Sequence, residues 1–176
     1  MSVQTTYSDA PARGFEGMIV GKDFDVMPMI NAAASASIAF GRAVIFKSGG
    51  NAQDADLPSA ETDKVAGIVV HSNAYSRAYT DSNGTFGDLD STGLRPGVMM
   101  NVLRKGVVLV ICEDGCTKGD RLWVRAVGST PPEYLGGLNN ADDSTDMIDC
   151  TGQGQWLETK AAGELAMLEV DFMQEA

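Results

Sequence analysis

The segment Arg95 to Val127, RPGVMMNVLRKGVVLVICEDGCTKGDRLWVRAV, constrains the fold more than any other. Pro96-Gly97 signals a turn, and the apolar run Val98 to Leu103 follows it. Arg104-Lys105-Gly106 reads as a tight polar break. Val107 to Cys112 is almost wholly β-branched or apolar, which suits a strand buried on both faces or one inside a small barrel. Glu113 to Asp120 is a glycine-rich turn. Arg121 to Ala126 then alternates: Leu122, Val124 and Ala126 share one face, and Arg121, Trp123 and Arg125 share the other. A period of two defines a half-buried strand. Three strands and two turns make a β-meander, and its Arg-Trp-Arg face has the composition of a contact surface.

The flanking sequence repeats this punctuation. Ala43 to Phe46 and Val65 to Val70 read as strands, and Gly67 inside the second suggests a bulge or the close approach of another backbone. Gln155 to Leu157 begins another strand. Leu168, Val170 and Phe172 alternate with Glu169 and Asp171 in a final half-exposed one. Ala32 to Ala39 fits one helical turn or a small-residue strand equally well. No amphipathic helix stands out. The expected fold is all-β, a small barrel or jelly-roll-like sandwich of short antiparallel strands.

Two long loops are expected, about 73–94 with Tyr75, Tyr79 and Phe86, and about 128–154, polar and acidic. Residues 1–31 differ from the rest. They scatter Tyr7, Phe15, Met18, Ile19, Phe24, Met27 and Met29 among turn formers, with neither helical nor strand period. Frayed termini are poor in such residues. This stretch is therefore expected to be an extended arm that docks on its own body or on a neighbour, ahead of one β-domain over 32–176.

With 13 Lys and Arg against 24 Asp and Glu, the formal charge is −11. Such a surface repels phosphate backbones, so nucleic acid is a poor partner. No apolar run approaches the ~18 residues of a membrane span, and no basic-then-apolar secretory signal opens the chain. Neither a membrane nor secretion is expected. The three cysteines, Cys112, Cys116 and Cys150, read as reduced thiols of a cytosolic product.

Chemistry-bearing patterns are weak. His71, the sole histidine, lies at a strand end without a nucleophile motif such as G-x-S-x-G, so a structural role outweighs a hydrolase. Cys112-x-x-x-Cys116 with Cys150 and His71 has half of a zinc-site pattern only, and Cys112 continues an apolar strand. Asp81-Ser82-Asn83-Gly84 opens like a calcium loop, but Phe86 and Thr92 occupy the later key positions. The acids Asp142, Asp143, Asp146 and Asp149 read as a solvated loop. The expectation is no enzyme, no cofactor and no metal. Trp123 is either a surface hot spot or packing under the 128–154 loop. Trp123, Trp156 or the Tyr75/Tyr79 loop stacking on sugar would make a carbohydrate- or receptor-binding module, for example a head-fibre or tail component.

The strings YSDAPARGFEGMI (Tyr7 to Ile19), FGRAV (Phe40 to Val44), VAGIVVHS (Val65 to Ser72), PGVMMNVLRKG (Pro96 to Gly106), KGDRLWV (Lys118 to Val124) and AAGELAMLEV (Ala161 to Val170) occur in this order. Together they resemble the cement, or decoration, proteins of tailed-bacteriophage capsids. The resemblance covers most of the chain and brings no catalytic residues. It implies a β-barrel or jelly-roll body with an arm, made in the bacterial cytoplasm and bound to the outside of an expanded icosahedral shell. It further implies a homo-oligomer, a trimer favoured over a dimer, that bridges neighbouring copies of the major capsid protein. The expected contacts with capsid or sister copies are Tyr7, Phe15, Met18, Ile19, Phe24, Met27 and Met29 from the arm, and Arg121, Trp123 and Arg125 from the meander.

Overall fold

The computed structural model describes residues 14–72, 93–128, 135–142 and 146–173. Among them there is no helix, and the strands form two sheets. The fold is all-β, as the sequence predicts.

The central strand is β5, Met99–Ile111. The sequence predicts two strands here with a break at Arg104-Lys105-Gly106, but the strand runs through. The polar triplet instead marks where the neighbouring strand leaves it. Along one edge of β5 runs β1, Met18–Asn31, antiparallel from Met18 opposite Leu109 to Ile30 opposite Met99. Its other edge is shared. β4, Val65–Val70, pairs with Asn101 to Leu103, and β10, Leu165–Asp171, pairs with Lys105 to Ile111.

The sheet then closes. β2, Ala43–Phe46, pairs with β4, and β3, Asp54–Asp56, pairs with β2. β3 returns to the end of β1 in parallel, with Ile30 opposite Asp54 and Asn31 opposite Ala55. The ring β1–β3–β2–β4–β5–β1 is a five-stranded barrel. It encloses Met29, Val44, Ala55, Val69, Met100 and Val102, together with Ile38 and Leu94, which bridge to each other. Asn31 helps close this end, its buried amide donating to the carbonyls of Ala36 and Leu94. Gly67 behaves as its sequence suggests: a Cβ there would lie 2.4 Å from the Leu103 carbonyl oxygen.

Two expectations change in detail. The strands are not all short, since β1 has 14 residues and β5 has 13, and β1 and β3 are parallel. Close pairing with a common partner keeps β1 extended although its sequence lacks a regular period. Second, the 128–154 segment is not loop throughout. It supplies β7, Leu138–Asn139, and β8, Met147–Asp149, which flank β6, Trp123–Arg125. This small sheet shares a second core with β5, β10 and β9, Gly154–Trp156, built around Val108, Val110, Leu122, Val124, Ile148, Leu168 and Trp156.

Candidate functional site: an open sheet face

The register places one row of side chains across four strands. Val20 of β1 lies opposite Val107 of β5, Val107 opposite Glu169 of β10, and Glu169 opposite Gln155 of β9. An isolated bridge extends the row from Gln155 to Arg121. The adjacent row is Asp25, Lys105 and Asp171, and Lys105 Nζ lies 2.8 Å from Asp171 Oδ2. That hydrogen bond with Asp171 holds the Lys105 pKa above its ordinary value. The face away from the core is thus a mixture of valine, amide and paired charge.

Between Val20 and Asp25, β1 inserts four residues, Gly21 to Phe24, opposite the single Gly106 of β5. Four residues cannot lie flat against one, so they stand out as a finger. All four are exposed, and Phe24 is 52% exposed. Gly106 makes room for it: φ there is 132°, and a Cβ would lie 2.9 Å from the Phe24 Cβ. The finger walls a groove of about 860 Å³, closed on the far side by Gly119, Arg121 and the Thr151-Gly152 turn. Lys22, Lys105 and Arg121 line it together with Asp23, Glu169 and Asp171, so the signs balance on an otherwise acidic molecule.

The residues expected to make contacts fall into three groups. Arg121 lines this groove, and Phe24 stands at the end of the finger whose Gly21, Lys22 and Asp23 line the other side. Phe15 is 50% exposed, its ring edge-on to His71 at 4.7 Å. Met18, Ile19, Met27 and Trp123 are half-buried, Ile19 packing on the larger core and Met27 on the barrel core. Met29 is fully buried in the barrel. Tyr7 lies outside the described residues, as do Tyr75, Tyr79 and Phe86 and the 81–84 segment.

Arg125 corrects the sequence reading. It does not share an outward face with Arg121 but is 2% exposed, its Nε donating to Glu113 Oε2 at 2.8 Å. Alternation fixes which residues share a side, not what covers that side. Here the Glu113 turn covers it. Glu113 also binds Arg42 at 3.3 Å, and Arg42 faces Glu16. Burial pushes the Glu16 carboxyl above its ordinary pKa, and Arg42 partly opposes this.

His71 is packed as a structural residue. Its ring lies between Phe15 and Phe40, 4.9 Å from the latter, and its backbone N–H donates to Gly17. All three cysteines are buried, and burial pushes the Cys112 and Cys150 thiols up to about 12. Among the described residues no three His, Cys, Asp or Glu side chains group as a metal site. Trp156 is fully buried, its Nε1–H donating to the Asn139 carbonyl, and offers no face to a sugar. The groove floor carried one legible signal, the outward Glu169 and Asp171. The finger carried only Phe24, one of the apolar residues scattered over 1–31.

A barrel closed on itself, a small sheet sharing its second core, and an open face of balanced charge beside a projecting aromatic make an all-β structural module. The chain belongs to the phage structural cement protein family (E217 gp24/Pam3 gp6), whose family model matches residues 3–171. It is a structural, capsid-associated protein of the virion. A chain from a solved capsid of Myoviridae phage XM1 has a similar fold, with a TM-score of 0.66 at 16% identity, covering 97% of this chain and 98% of that one. No curated protein sequence gives a significant match.

Proposed function

We propose that this protein binds the outer surface of an expanded icosahedral phage shell as a homo-oligomer, a trimer in preference to a dimer, and bridges neighbouring copies of the major capsid protein. The observation that carries this is the family match over residues 3–171. The open face supports it, since a finger and a groove of balanced charge suit protein contact. Each copy gains modest binding energy. An oligomer that engages several shell subunits at once gains avidity, and binding the expanded shell alone stabilises that state by mass action. The contacts we assign are Arg121 at the groove, Phe24 on the finger beside it, and Phe15, Trp123, Met18, Ile19 and Met27. Tyr7, of the N-terminal arm expected over 1–31, is a further contact toward a neighbour. Met29 and Arg125 support these contacts from inside. The protein is made in the bacterial cytoplasm and joins the shell there.

The test is cryo-EM of expanded cognate capsids stripped of decoration and mixed with the purified protein. Stoichiometric density outside the shell at positions joining capsomers is expected. Empty positions at saturating protein would discard the proposal.

A further inference from the structure

The two thiols at the end of β5 are arranged unlike the third. Cys112 donates from Sγ to the Gly115 carbonyl at 2.7 Å, and that carbonyl belongs to the peptide joining Cys116. Cys116 donates to the Glu158 carbonyl at 3.3 Å, and the two thiols are near enough to act on each other's ionisation. Both backbones are fixed by the same opposing turn. Cys116 and Lys160 exchange two hydrogen bonds of 2.9 Å, and Gly163 donates to the Cys112 carbonyl at 2.9 Å. Cys150 sits in the same core, with its backbone tied to Leu122.

We propose that Cys112 and Cys116 are an oxidisable pair, which a small peroxide converts to a disulfide closing the Glu113–Gly115 turn while Cys150 stays a thiol. The Cys116 thiolate attacks a peroxide oxygen, forming a sulfenic acid and releasing hydroxide, which takes up the proton that the thiol gave up. The Cys112 sulfur then displaces water from the sulfenic acid, and the S–S bond forms. The pair loses two electrons and two protons, and hydrogen peroxide becomes two waters. Cys116 is 4% exposed and Cys112 is 0% exposed, which sets the order of attack. Burial keeps both thiols protonated, so the reaction is slow and the pair survives synthesis in a reducing cytosol. Oxidation belongs to the particle after release. The inference does not depend on how the protein binds the shell.

The experiment treats the folded, full-length protein with hydrogen peroxide at pH 8.5, then quenches, denatures and alkylates it. The expected product has lost about 2 Da, the mass of two hydrogens, and one of its three thiols still alkylates. Peptide mapping joins Cys112 to Cys116, and a reductant reverses the change. Melting of the oxidised protein rises by about 5 °C, the scale for closing a loop this short in a chain this long. Cys150→Ser behaves like the wild type, and Cys112→Ser and Cys116→Ser form no intrachain bond. Three alkylated thiols after hours of oxidant, a cross-link to Cys150, or over-oxidation of Cys116 without a cross-link would each overturn the inference. The wild-type map decides the question even if a variant fails to fold.

Discussion

Among the described residues, Glu113 pairs with two arginines. It holds Arg125 at 2.8 Å and Arg42 at 3.3 Å, and so ties β6 to the start of β2. Removing it takes a carboxylate partner from the buried Arg125. Glu113→Ala is expected to cost about 3 kcal/mol, read as a lower urea midpoint with unchanged slope. Glu16 gives a pH-dependent counterpart. Its pKa is raised by burial above 4.5, so the folded state favours the neutral carboxyl. The stability from that preference is fully present below pH 4.5 and is lost as pH rises through the raised value. Glu16→Gln should therefore melt like the wild type at pH 4 and at a higher temperature than the wild type at pH 7. Equal melting at both values would show that the Arg42 interaction cancels the burial effect. None of this network was legible in the sequence. Arg125 alternates with Val124 as a surface residue would, and only the fold brings the Glu113 turn over it.

At the scale of elements, the informative unit is β5 and the finger it faces. Gly106→Val would place a Cβ against Phe24 at a φ of 132°. We expect a loss of about 2 kcal/mol and a displaced finger, visible as altered resonances at Lys22 to Asp25. Replacing Gly21 to Phe24 by one residue matches Val20 to Asp25 one-to-one with Val107 to Lys105 and leaves only the bulge at Arg104. That variant should melt within a few degrees of the wild type and lose shell binding. Retained binding would remove the finger from the proposed interface. The strands at 43–46, 65–70 and 165–171 were legible because β-branched and apolar runs between turn formers have few other readings. The unity of β5 was not, because Arg-Lys-Gly looks the same at a turn and opposite a bulge. β1 was not legible either, since it is held by its partner and not by its own period.

For the whole molecule, the class was legible and the closure was not. Short motifs in a fixed order carried the family resemblance, while the barrel depends on one non-local parallel strand pairing, Ile30 with Asp54 and Asn31 with Ala55, that no local pattern announces. If the assembly reading is right, added protein should raise the disruption temperature of expanded shells in a concentration-dependent way, and Phe24→Ala with Arg121→Glu should lower the apparent affinity without changing the melting of the free protein. Ring closure bears on this behaviour in another way. A protein concentrated at high density on a shell risks joining its own kind through unpaired backbone and growing into sheets or fibres. In the barrel β5 is hydrogen-bonded along both edges, whereas β1 pairs with β5 along its length and with β3 only at Ile30 and Asn31. Where the ring is paired on both sides, association is left to side chains and projections, whose sites are finite.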